Sequence, residues 1–206
     1  MVASLQSAAD IVNVSLARIG WKQQIGNLYD GSQAAQIALN VYGQTRDEML
    51  RKVNPDFAMR NVAMTLLKSA PPGGYVPGIS PWNPITNPPV GYLFEYLYPP
   101  DCLKVRAVKP TPIFFPNVDP RPYVFAIDND NNYTPPKRVI LCNVSDALLV
   151  YTGRVTDPST MDVMFLEALT EALGEKLAAA LTGGDAAKFE AAEAQGETIA
   201  ASAEQG

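Results

Sequence analysis

Proline placement constrains this chain more than any other feature. All but two of its 18 prolines, Pro55 and Pro158, lie between Pro71 and Pro136. Proline lacks an N–H donor and clashes with the preceding turn of a helix. Long helices therefore belong outside that block, and short strands and loops inside it. The pattern reads as an α+β chain, with a small antiparallel β domain inserted between helical ends. The expected organisation is N-terminal helices over 1–70, a Pro-rich loop and sheet over 71–152, a closing helix over 153–184 and an Ala/Glu-rich tail over 185–206. The helices from the two ends are expected to pack as one bundle.

The closing helix carries the clearest periodicity. Phe165, Leu166, Leu169, Leu173, Leu177, Ala180 and Leu181 recur at steps of three and four, which makes one apolar stripe on a helix. Asp157 and Pro158 read as its N-cap and first turn, and Gly183 and Gly184 as its stop. The stripe needs cover, and the first third of the chain offers it. A helix over 7–19 presents Ala8, Ile11, Val12, Leu16 and Ile19. A second, from Asp30 or Ser32 to Asn54, presents Ala34, Ala38, Val41, Tyr42, Thr45, Met49 and Val53. A third is expected from Pro55 or Asp56 to about Ser69, with Phe57, Ala58, Val62, Leu66 and Leu67 on its face.

Residues 70–91 form a Pro/Gly stretch too long for an ordinary connection. It keeps Tyr75, Ile79, Trp82 and Ile85, side chains that a disordered linker would lack. It reads as an arm that orders against a partner. Short runs over 93–98, 103–108, 123–127, 139–142 and 147–151 read as strands. The Asp128-Asn-Asp-Asn-Asn132 run lacks the glycine and distal glutamate of a calcium-binding hand, so it reads as a turn. In the tail, Phe189 and Ile199 are the few large apolar residues, and Phe189 is a candidate docking group.

The chemistry is restricted by what is missing. The chain has no histidine, which removes the commonest general base and most zinc sites. No metal or cofactor site is assigned, and no enzymatic activity is expected. The opening Met-Val-Ala-Ser-Leu-Gln-Ser has no basic or apolar signal region, and no apolar run approaches the ~20 residues of a membrane span. Cys102 and Cys142 sit in apolar, strand-like contexts. Two buried free thiols is the ordinary reading, and a disulfide between them is the alternative. With a formal net charge of −5, wholesale coating of nucleic acid is disfavoured. Arg46, Arg51, Lys52 and Arg60, with Lys68, fall on the second and third expected helices. They are scattered surface charge, or a face that touches passing phosphates. Glu167, Glu171 and Glu175, spaced by four, are a solvated helix face, or a carboxylate pair of a cell-wall hydrolase carried on a tail component.

Several phrases, in order, resemble the tail tubular protein A family of short-tailed phages. The run from Ile11 to Gly20 is similar to the family's opening helix. Tyr42-Gly-Gln-Thr-Arg-Asp-Glu-Met-Leu50 is similar to its second, where a tyrosine precedes an Arg-Asp-Glu-Leu-Leu type phrase. Pro55-Asp-Phe-Ala58 stands where the family has a Pro-Trp-x-Phe-Ala type phrase, here without the tryptophan. Pro99-Pro-Asp-Cys-Leu103 resembles the opening of its sheet, and Tyr151 through Thr156-Asp-Pro158 its junction into the last helix. The resemblance spans about residues 8–184 and implies a structural head-to-tail adaptor. Such proteins form a twelvefold ring under the portal protein, continue the channel for double-stranded DNA without sequence-specific binding, and dock the tail nozzle protein. The implied location is the virion, after synthesis in the host cytoplasm.

Overall fold

The computed structural model describes residues 7–111 and 123–181. It is α+β, with three helices and two antiparallel sheets. The chain divides into two compact units, Met1–Phe57 with Val155–Gly206, and Ala58–Arg154.

In the first unit, helix α1 (Ala8–Arg18) begins at a capping box. Ser7 Oγ accepts from the Asp10 amide at 3.1 Å, and Asp10 Oδ2 accepts from the Ser7 amide at 2.9 Å. Helix α2 (Gln33–Val53) starts at Ser32 and ends where Asn54 turns left-handed, at φ 57°, a conformation asparagine tolerates better than most residues. Helix α3 (Val163–Leu181) starts later than the sequence suggested. Asp157 caps only a short 3₁₀ turn, Pro158–Thr160. Met161 then buries its side chain in an extended conformation, which interrupts the helical path. Asp162 caps α3 instead, its Oδ1 accepting from Met164 N at 2.8 Å.

Both α1 and α2 pack against α3. The buried side chains are Ile11, Val12 and Leu16 on α1, Ala34, Ala35, Ala38, Tyr42 and Leu50 on α2, and Phe165, Leu166, Leu169, Leu173 and Leu177 on α3. Two small residues let α1 and α3 approach closely. Ser15 Oγ lies 2.9 Å from both Ile11 O and Thr170 O, and a Cβ on Gly174 would stand 3.6 Å from Ser15 O. The face of α2 is rotated from expectation, because Leu50 is fully buried and Val53 exposed.

The second unit begins with the largest departure from expectation. The third helix does not form. After a 3₁₀ turn, Asp56–Ala58, the chain makes strands β1 (Met59–Ala63) and β2 (Leu66–Ser69). Val62, Leu66 and Leu67 fit a helical spacing, but backbone pairing with distant strands wins over it. The remaining strands are β3 (Phe94–Leu97), β4 (Cys102–Pro110), β5 (Phe125–Asp130), β6 (Lys137–Cys142) and β7 (Ala147–Gly153). They form two sheets rather than one, ordered β1-β7-β4 and β2-β3-β6-β5. Asp128, Asn129 and Asp130 belong to β5, so the turn begins only at Asn131. The core of this unit lies between the sheets. Tyr96, Ile140 and Cys142 from one meet Cys102, Val108, Leu149 and Tyr151 from the other. Both cysteines are buried free thiols, and burial raises the pKa of each.

Candidate functional site

Strand alternation builds the site. On β3, Phe94 and Tyr96 face the inter-sheet core, so Glu95 must face the other side. Register places Lys68 of β2 opposite Glu95, and Leu141 of β6 opposite it on the other flank. Asp130 at the end of β5 reaches the same place. A bare sheet face would leave these groups in water. Here Glu95 is 1% exposed, Lys68 7% and Asp130 8%, because the segment between β2 and β3 lies over them.

That segment is tied down through one carbonyl. Pro84 O accepts from Lys68 Nζ at 3.2 Å and from Asn132 Nδ2 at 2.9 Å. Both donors are oriented by the Asp130 carboxylate, which pairs directly with Lys68 Nζ and accepts from Asn132 N and Nδ2. Proline-stiffened chain on one side and sheet on the other leave a cleft of about 240 Å³. It is lined by Trp82, Asn87, Glu95, Asp128, Asp130 and Asn132, among others.

The two buried carboxyls are driven apart. Burial pushes Glu95 up to about 7, aided by a hydrogen bond to Asp130 and only partly opposed by Lys68. Burial also works against ionised Asp130, but hydrogen bonds from Lys68 and Asn132 outweigh it and hold the group down at about 2. At neutral pH the cluster thus holds one firm carboxylate, one ammonium and one acid near its midpoint. Glu95 Oε1 is buried with no hydrogen-bond partner.

The same segment displays apolar side chains. Ile79 is 84% exposed and Ile85 66%. Trp82 is held by Nε1 donating to Pro88 O at 2.9 Å, yet part of its ring stays open. Tyr75 is half-buried and its hydroxyl is enclosed. The expected arm therefore has its base on its own sheet and its apolar tips in solvent. Phe189 lies outside the described residues.

The basic candidates are not gathered into one face of one helix pair. Arg46 is committed to Asp47 Oδ1, at 3.0 Å from Nε and 2.7 Å from Nη2, beside the Tyr42 ring. Arg51 and Lys52 are exposed in the last turn of α2, where positive charge complements the helix dipole. Arg60 stands on β1 in the second unit. It holds Asp101 Oδ2 at 2.5 Å and Arg154 O at 3.2 Å, and Tyr151 donates to the same Asp101 carboxylate at 3.1 Å. Glu167, Glu171 and Glu175 are exposed on α3, with Glu167 3.8 Å from Arg18, and none of them lines the cleft.

Sequence reading missed the Lys68, Glu95 and Asp130 cluster. The available signal was Glu95 itself, a carboxylate in the middle of the Leu93–Tyr98 apolar run. Among the described residues, no group of three or more His, Cys, Asp or Glu is placed to hold a metal ion. No helix there is long and apolar enough to cross a membrane. Compared with known proteins, the chain matches no protein-family model and no curated protein.

Proposed function

We propose that this protein is a structural head-to-tail adaptor of a tailed phage. Its subunits form a ring, twelvefold when assembled, below the portal protein. The ring continues the channel for double-stranded DNA and docks the tail nozzle protein, so the protein resides in the virion at the head-to-tail interface. In this reading α1, α2 and α3 form the bundle of the adaptor body, and the Pro-rich segment is its docking arm.

The observation that carries the reading is the placement of Ile79 and Ile85. They stay in solvent on a segment whose base is pinned at Pro84. An isolated chain gains nothing from holding large apolar groups in water on a stiffened loop. A docking arm loses less entropy on binding when it is prepared in this way. The ordered resemblance of the helical and junction phrases supplies the kind of partner. The hydrolase alternative rests on three carboxylates of α3. Glu167, Glu171 and Glu175 are exposed, whereas a general acid needs a site that raises its pKa.

The test is negative-stain imaging of the purified chain alone and mixed with portal protein. The expected result is a monomer in isolation and a rotationally symmetric ring on the portal. Replacing Ile79 and Ile85 together by aspartate should abolish nozzle capture. Complexes without rotational symmetry, or no binding to portal, would overturn the proposal.

A further inference from the structure

The cleft beside Pro84 is a fixed, acidic recess rather than a gap in packing. Three carboxyl groups, Glu95, Asp128 and Asp130, line it against one ammonium, Lys68. The ammonium is already engaged with Asp130 and Pro84 O. Asp128 sits at the exposed rim, where its Oδ1 accepts from Asn129 N at 2.8 Å. At the base, Glu95 lines the cleft with Oε1 unpartnered, although the residue is 1% exposed. A buried acceptor without a donor is costly, so a group that brings a donor is favoured there.

Size, charge and shape select the occupant. At about 240 Å³ the cleft is smaller than a pocket for a drug-sized ligand, and it suits one side-chain head group. Its surplus of carboxyls excludes anions. The amides of Asn87, Asn129 and Asn132 add carbonyl acceptors, and the Trp82 ring supplies an aromatic wall whose edge is held by Pro88 O. Many acceptors beside an aromatic ring match a planar cation with several N–H donors better than a compact ammonium.

We propose that this cleft receives the guanidinium of an arginine side chain from a partner protein. The proposal stands whether or not that partner is a portal. Asp128 pairs with the guanidinium at the rim, Trp82 stacks beside it, and Glu95 takes a donor at the base.

The occupant would also be sensed by a proton. Glu95 faces Lys68 from β2, Asp130 and Asp128 from β5, and apolar Leu141 from β6. The overlying segment contributes Trp82, Pro84, Asn87 and Pro89, none of them charged. A guanidinium beside Glu95 favours its ionised form, so binding expels a proton wherever Glu95 is still protonated. Affinity therefore rises with pH through about 7.

The test uses the full chain and the peptide acetyl-Gly-Arg-Gly-amide, followed by NMR of the indole N–H groups at constant ionic strength. The chain has two tryptophans, so Trp21 in the first unit serves as an internal control. The expected result is a saturable shift of the Trp82 resonance while Trp21 stays still, and tighter binding at pH 8 than at pH 6. Asp128→Asn, an exposed substitution that leaves the core untouched, should weaken binding about tenfold, the scale of one charge-assisted hydrogen bond. The citrulline peptide should not bind, and the lysine peptide should bind more weakly. No saturable shift would overturn the proposal. So would equal binding of citrulline or lysine, or an affinity indifferent to both pH and Asp128→Asn.

Discussion

Lys68 stands opposite Glu95 across β2 and β3 with Nζ 3.7 Å from Oε2, yet its hydrogen bonds go to Asp130 and Pro84 O. One ammonium thus serves two buried carboxyls unequally. Asp130, which gains the hydrogen bond and two more from Asn132, stays ionised. Glu95 is governed by burial first and by its hydrogen bond to Asp130 second, and Lys68 only partly opposes them. The energetic consequences of this unequal sharing are open to measurement.

Glu95 makes stability depend on pH. Its folded pKa, about 7, lies above the ordinary 4.5, so the folded state binds the extra proton between those values. Its contribution is fully present below about 4.5 and is lost as pH rises through 7, a fall on the order of 3 kcal/mol. Glutamine mimics the protonated acid, so Glu95→Gln should flatten this slope. Urea midpoints at pH 5 and pH 7.5 decide it, and parallel slopes in both proteins would refute the assignment. Asp130 acts with the opposite sign. Its contribution is present above about 3.8 and is lost as pH falls towards 2.

Removing the shared cation should be expensive. Lys68→Met leaves the Asp130 carboxylate buried without its counter-ion and removes one of the two donors on Pro84 O. The expected loss is about 3–5 kcal/mol. Amide exchange in residues 82–89 should accelerate more than in β7. Uniform acceleration across the second unit would show that the cluster does not hold the segment.

In the first unit, Leu173 is fully buried on α3. Leu173→Ala should cost about 2–5 kcal/mol, read as a lowered melting temperature. An unchanged melting temperature would mean that the helical core is not centred there.

Gly153 is a position where a methyl group has no room. A Cβ there would collide with Cδ and Nε of Arg60, the residue that holds Asp101 and Arg154 O. Gly153→Ala should therefore cost about 1 kcal/mol in the wild type and almost nothing in an Arg60→Ala background. Equal costs in the two backgrounds would separate Gly153 from the Arg60 pair.

Much of the architecture was legible because it is local. The prolines between Pro71 and Pro136 excluded long helices there, and the steps of three and four through Leu166, Leu169, Leu173 and Leu177 required a helix whatever else the chain did. The caps at Ser7 and Ser32 likewise act within one turn of their helices. Five of the seven strands among the described residues were visible as short apolar runs. The start of α3 was not, since the burial of Met161, a tertiary event, moved it from Asp157 to Asp162.

Residues 59–69 and the candidate site were decided only in three dimensions. Val62, Leu66 and Leu67 have a helical spacing, but β1 and β2 exist because β7 and β3 offer backbone partners far along the chain. The same non-local pairing carries Lys68 from an expected helix into a strand opposite Glu95, and brings it to Asp130, 62 residues away. Composition and periodicity describe what a residue does with its neighbours in sequence. Which carboxylate shares which ammonium depends on register between distant strands, and the sequence carries that only through the fold as a whole.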